Sequence, residues 1–356
     1  MSKAGEDGHK EGSMKKTLGQ LVRALLGWQL HLRIIISLAL FSWVIILGHR
    51  EGVFNKLNEL PINVLLMCVC AYCLLQALSA FNWWVIIRAT GMFISPLDAI
   101  VAFFIGMFFN LFLPGIVGGD MVRAYVASRQ SGQPLSRIMG TVYAQRAVGF
   151  TSMILVGCVA ALWLSRAAQK FVLATLIAFL MLLIIATAAI ATLLLWRGSE
   201  NIWRSRLARF GEGALLFLTQ PKHAAICFGI AITYHLCLDA MLLALGWATG
   251  MRMGYASYVA MISSLTAISS LPIAIHGLGL REITATHLWV MLGATKDAAI
   301  LWSLLWRVIA WLTALLGGLL HLAVATGIWR LCGDGIKAMQ RTDITNGGEL
   351  QCRCKR

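Results

Sequence analysis

The sequence predicts an all-α integral membrane protein: about six transmembrane helices plus two re-entrant, broken-helix segments arranged as an inverted repeat. Three observations predict it. The 356-residue chain is 59% hydrophobic and only 13% charged, with a mean hydropathy of +0.77. Several apolar runs reach the roughly 20 residues that a spanning helix needs. Two other apolar segments are interrupted by Pro and Gly beside charges, around Pro114 and around Pro272. Such breaks are not tolerated against lipid tails, but they are tolerated inside a protein or beside a water-filled cavity.

Residues 1–17 are polar and rich in Gly and Lys, which predicts a disordered tail on the cytosolic side. An interfacial helix follows over 18–32. The first span covers 33–49, with Arg33 snorkelling at its end. It ends in Gly48-His49-Arg50, without a signal-peptide cleavage site. The second span covers 62–88. The apolar segment 96–113 enters next, breaks at Pro114-Gly115, loosens through Gly118-Gly119 and restarts at Asp120, read as an N-cap. Residues 120–137 carry Arg123, Arg129 and Arg137 and read as a surface helix plus loop. Spans three and four cover 138–164 and 171–196, and a basic amphipathic segment occupies 197–222. Span five covers 223–248. A second interrupted segment, 255–292, holds Pro272, Gly277, Gly279, Arg281 and Glu282. Span six covers 298–328, and a basic tail occupies 331–356. The transmembrane domain is thus 18–330, with repeat units at about 96–196 and 255–328.

The net charge of +15 reads as basic loops held inside by the positive-inside rule, and not as a nucleic-acid surface. The asymmetry places both termini in the cytosol, with the protein in the cell (inner) membrane. Cys68, Cys70 and Cys73 sit in an apolar run and read as small hydrophobes. Their spacing matches no trusted zinc pattern. Cys352 and Cys354 belong to a basic tail expected to be reduced. No metal or other cofactor is expected. The chain shows no Walker A loop and no His-Glu-x-x-His motif. No large outer domain with paired acids is visible either, so an enzyme is not expected.

The two interrupted segments resemble each other, and each precedes a span with one intramembrane arginine, Arg146 or Arg307. A charge near the bilayer centre is expensive and faces a cavity or a partner. Two readings stay open for these arginines. One is a structural ion pair, with Asp239, one turn after His235, as the candidate partner. The other is a phosphate contact, since guanidinium binds phosphate oxygens bidentately. Both hold if a substrate displaces the internal partner. Asn110, Asp120, Arg123 and Arg281 complete the expected binding set. Pro114, Gly115, Gly118, Gly119, Pro272, Gly277 and Gly279 are the expected gating turns. Glu282 reads either as a surface pair near Arg281 or, like Asp239, as a proton carrier. His276 and His321 read as packing or interface residues.

The string Asn110-x-x-x-Pro114-Gly115-x-x-Gly118-Gly119-Asp120-x-x-Arg123-x-Tyr125, then Arg146, then Gly277-x-Gly279-x-Arg281-Glu282 resembles the lysylphosphatidylglycerol synthase transmembrane-region family. That group is also called flippase-like or UPF0104. The resemblance covers roughly 20–330. It implies a helical bundle with re-entrant segments that moves a lipid, often an anionic or aminoacylated phospholipid, between leaflets. Full synthases in this family add a soluble aminoacyl-transfer domain, for which no room is expected after Arg330. The expectation is therefore a lipid flippase. The rival reading is a non-transporting partner that binds or presents lipid to a separate biosynthetic enzyme.

Overall fold

A computed structural model describes residues 35–53, 56, 60–113, 118–196, 201–271 and 277–326. The expected tails, the interfacial helix 18–32, and Pro114, Gly115, Pro272 and His276 lie outside the described residues. Among the described residues every regular element is helical. Five helices are long and apolar enough to cross a membrane: α2 (Ile62–Ala89), α5 (Leu135–Ala161), α6 (Arg166–Trp196), α8 (Pro221–Ala248) and α11 (Lys296–Ala325). The expected first span appears as the shorter α1 (Ile35–Arg50).

The breaks create pairs of short helices. In the first, α3 (Pro96–Asn110) is started by Ser95, whose hydroxyl accepts from the Asp98 N–H at 3.0 Å, with Pro96 preset for a first turn. At 15 residues it is about 22 Å long, too short for a bilayer core. The chain returns as α4 (Gly118–Ser131). A methyl carbon on Gly106 of α3 would come within 2.7 Å of the Gly119 carbonyl, so the two backbones cross in near contact as a hairpin. Segment 120–137 is therefore not a surface helix. Ala99 and Ala102 of α3 pack with Ala124 and Ala127 of α4 in one buried cluster, because small residues let two short helices approach closely.

The second pair is α9 (Tyr255–Ser269) and α10 (Leu280–Met291). The Tyr258 and Trp289 rings, 4.5 Å apart, fasten one end of this hairpin. Its turn end contains Gly277 and Gly279, at φ 64° and 78°. That left-handed region is cheap for glycine and costly for other residues.

The resemblance between the halves reaches further back than the breaks. Helices α2 and α8 each have 28 residues, and each runs into the tetrapeptide Ala-Thr-Gly-Met (89–92 and 248–251). Both ends fold alike. Thr90 and Thr249 donate to the carbonyls of Ile87 and Gly246, and Gly91 and Gly250 take φ of 76° and 92°. The N–H groups of Met92 and Met251 reach back five residues, closing Schellman-type caps. A 15-residue helix, a return helix and a long helix follow in each half. Trp83 donates to Thr141 between α2 and α5 at 3.0 Å, and Trp302 donates to the Leu242 carbonyl between α11 and α8 at 3.0 Å. Counted from the helix starts, Thr141 in α5 and Trp302 in α11 occupy the same position, and so do Trp83 in α2 and Leu242 in α8. The same contact is made with donor and acceptor exchanged.

The halves run in opposite directions. Cys68, Gln76 and Ala89 of α2 bond in turn to Met241, to Tyr234 and to Gln220 at the start of α8. As residue numbers rise along α2 they fall along α8, so these helices are antiparallel. They cross near Gln76 and Tyr234, mid-helix in both. The halves also interlock. Ser263 of α9 donates to the Met153 carbonyl of α5 at 3.3 Å, and Gly157 of α5 leaves room for it. Reciprocally, Gly317 and Gly318 of α11 admit Phe104 and Phe108 of α3.

The basic segment folds as α7 (Asn201–Leu215) and lies on α5, with Gly213 and Gly140 at the contact. Arg137 reaches Glu212 at 3.5 Å. A Gly213→Leu substitution would drive a side chain into the Arg137 carbonyl. We expect it to release α7, read as faster proteolysis within 201–215 against unchanged cleavage elsewhere.

Candidate functional site

Residues flanking the two breaks and the α2–α8 crossing line a cavity of about 400 Å³. Its wall includes Arg123, Arg146, Arg281 and Arg307, together with Asp120 and Asp239. Arg146 and Arg307 each stand eleven residues past the start of their helix, about 16 Å along the axis. Guanidinium groups at this depth need counterions or water, since charge in hydrocarbon is costly.

In the first half Asp120 supplies the counterion. It is not the N-cap of α4, which begins two residues earlier, but a first-turn carboxylate. The Gly119 N–H at that helix start donates instead to the Asn110 side chain at 2.8 Å. Arg146 holds Asp120 bidentately, with Nε to Oδ2 at 3.0 Å and Nη2 to Oδ1 at 3.2 Å. Arg123 adds a contact at 3.0 Å. Arg123 also donates to Gln145 at 2.6 Å, and Gln145 donates to the Ser79 carbonyl at 2.7 Å. The Trp83 and Phe103 rings both lie 4.9 Å from its guanidinium carbon. Both terminal nitrogens of Arg123 are thus engaged, with 4% of its side chain exposed, whereas Arg146 keeps 43% exposed towards the cavity.

The second half answers with Glu282 and Arg307. Arg307 donates to Glu282 at 2.6 Å and to the Gly277 carbonyl at 3.1 Å. The other Glu282 oxygen accepts the Gly279 N–H at 2.8 Å, as a third-position glutamate does in a capping box. Both side chains are sealed, at 4% and 1% exposure. Glu282 is therefore not a surface residue; the turn at Gly277–Gly279 folds it inward. Asp120 and Arg146 have nearly the same separation along the chain as Glu282 and Arg307, so the halves place their pairs alike.

Arg281 differs from the other three. Its guanidinium carbon lies 3.2 Å from the centre of the Trp306 ring, and among the described residues it has no hydrogen bond or ion pair. Asp239, considered above as a partner for Arg146 or Arg307, pairs with neither: the arginines' own hairpins supply closer carboxylates. His235 bonds the Gly149 carbonyl at 3.0 Å. His321 lies edge-on to Phe109 at the start of the first break.

Gln145 and Trp306, each one residue before an intramembrane arginine, and the ring pair Trp83 and Phe103 belong to this site but were not singled out from the sequence. A polar Gln inside a span was a legible sign; the role of the aromatic rings was not. Among the described residues no cluster of His, Cys, Asp and Glu could hold a metal ion.

Comparison with known proteins places the chain among membrane proteins. A family profile described as lysylphosphatidylglycerol synthase TM region matches residues 32–318. A UPF0104 membrane protein of Pyrococcus horikoshii is 23% identical, over 82% of this chain and 96% of its own length.

Proposed function

The chain belongs to the lysylphosphatidylglycerol synthase transmembrane-region family, a multi-pass membrane family, and from that premise we propose that it is a lipid flippase. It moves an anionic or modified phospholipid, or a related polar lipid, between leaflets of the cell (inner) membrane, with both termini in the cytosol. The observation that carries this reading is the pair of cations open to one cavity from opposite halves: half-exposed Arg146 and Arg281 stacked on Trp306. A lipid phosphate is the ligand that such a pair suits, because guanidinium groups fork onto its oxygens.

Asp120 acts as the internal stand-in for that phosphate. It keeps Arg146 neutralised when the cavity is empty and retains Arg123 when substrate takes Arg146 over. The opposed directions of the two halves support the rest. Hairpins entering from opposite faces let one turn open while the other stays clasped, the general plan of alternating access. The Gly118–Gly119 and Gly277–Gly279 turns are the moving parts, and Asn110 and Glu282 are their latches. No chemistry on the lipid is needed.

The test is leaflet exchange of a labelled anionic phospholipid in liposomes containing the purified protein. Exchange should exceed that of empty liposomes. Arg146→Gln and Arg281→Gln should each reduce it by roughly 10–100-fold, the equivalent of one lost charge-assisted contact of about 1.5–3 kcal/mol. Neither change strands a buried acid, since Asp120 keeps Arg123, Glu282 keeps Arg307 and, among the described residues, Arg281 holds no ion pair. Unchanged exchange in both folded variants would refute the assignment. Lipid binding without exchange would favour the rival reading, a partner that presents lipid to an enzyme.

A further inference from the structure

The charge pattern around the cavity leaves one group unexplained. Of the two carboxylates lining it, Asp120 holds two arginines. The other, Asp239, is 2% exposed, and its Oδ1 has no hydrogen-bond partner. It lies nine residues before the end of α8, about 13 Å inside the helix. Helix α8 packs on α2, α5, α9 and α11. The charged or titratable groups those elements bring to its neighbourhood are Cys68 and Tyr72, Arg146, Tyr255 and Tyr258, and Arg307. None bonds to Asp239. Tyr255 is engaged with the Leu236 carbonyl, and Arg146 and Arg307 hold their own acids. On α8 itself, Tyr234 accepts from Gln76 and His235 is bound to the Gly149 carbonyl, while Cys237 is exposed.

The repeat sharpens the point. Counted from the helix starts, the position of Asp239 in α8 corresponds to that of Ala80 in α2, which is fully buried. The fold therefore packs this position with a methyl group in one half and does not need an acid there. An ionised carboxylate this deep without cation or donor is expensive, and such a residue marks an ion or proton path more often than a packing need.

We propose that Asp239 is the proton-coupling site of the transporter, an inference that rests on the flippase reading above. A proton from cavity water forms an O–H bond at the Asp239 carboxylate when the cavity is open to one side. That bond breaks to water when the cavity opens to the other. The acid crosses the closed state uncharged and so couples lipid movement to the energy of a proton gradient.

Proteoliposomes with labelled anionic phospholipid, equal sodium on both sides and a one-unit pH difference test this. The wild-type rate should change by up to about tenfold per coupled proton. Asp239→Asn should exchange lipid at the no-gradient rate whether or not the pH difference is present, and Asp239→Glu should restore the response. Independently, the infrared carbonyl band of a protonated carboxylic acid at neutral pH should be present in wild type and missing in Asp239→Asn. Gradient-sensitive exchange in Asp239→Asn, a wild-type rate indifferent to the pH difference, or absence of the band would each overturn the proposal. Wild-type protein that moves no lipid would refute the flippase reading instead, and the band would still decide whether Asp239 carries a proton.

Discussion

Replacing Glu282 with alanine is expected to destabilise the folded protein by about 3–5 kcal/mol, the usual cost of removing one partner of a buried ion pair. The cost arises from what remains. Arg307 keeps its charge, is 4% exposed and retains the Gly277 carbonyl as a weaker acceptor. The Gly279 N–H loses its acceptor too, so the helix start of α10 frays at the turn. Glu282→Gln should fall between, because an amide oxygen can accept one of the two bonds. The double change Glu282→Leu with Arg307→Met should recover most of the loss, since an apolar pair of similar bulk removes the stranded charge. Denaturant unfolding in detergent micelles, followed by tryptophan fluorescence, reads all of these. Arg281 stacks on Trp306, beside Arg307, so loosening there should be visible to that probe. A Glu282→Ala midpoint within error of wild type would show that the pair contributes little.

The second large effect is expected at Gly119. A Cβ there would strike the Gly106 carbonyl and lie 2.5 Å from the Asn110 side-chain carbon. The obstacle is backbone, which cannot rotate away, so Gly119→Leu should separate α3 from α4. Overpacking costs about 1–3 kcal/mol in well-packed interiors, and an immovable neighbour places this case at the upper end. In the bilayer, helices are held by close packing and polar contacts with no hydrophobic force between them. Widening this crossing therefore removes the main attraction, and the Asn110 latch with it. Lipid exchange should fall at least as far as in Arg146→Gln, because Asp120 rides on the displaced helix. Cysteines placed at Ala102 and Ala127, which share the buried cluster of this hairpin, should cross-link less readily in the variant.

These two sites show how much of the molecule was legible in one dimension. Hydropathy alone located the spans, because a helix that crosses a bilayer must be long and apolar and satisfies its backbone groups internally. Five of the expected spans are helices of sufficient length, and the first appears as a shorter apolar helix. Pro and Gly beside charge located the two breaks, because broken backbone and charge are not tolerated where lipid alone surrounds them. Arg146 and Arg307 stood out because isolated charge in a span demands a partner. Even the family was readable from the Asn110–Tyr125 string and the Gly277–Glu282 turn.

What each arginine binds was decided elsewhere. The helix that carries Arg146 contains no acid of its own, and the sequence suggested Asp239 as the ion-pair partner, with Asp120 read as an N-cap. Only the hairpin geometry, with α4 folded back against α3 at Gly106, carries Asp120 to within 3.0 Å of Arg146. The same holds for Glu282, for which a surface pair and a proton carrier were both open readings and which the Gly277–Gly279 turn folds inside. The direction of the halves likewise emerges from the antiparallel crossing of α2 on α8, a contact between segments far apart in the chain. Local composition determines which segments enter the membrane and where they break, since those are one-dimensional solvation requirements. Pairing of buried charges depends on which distant helices meet, and that is a property of the packed tertiary structure.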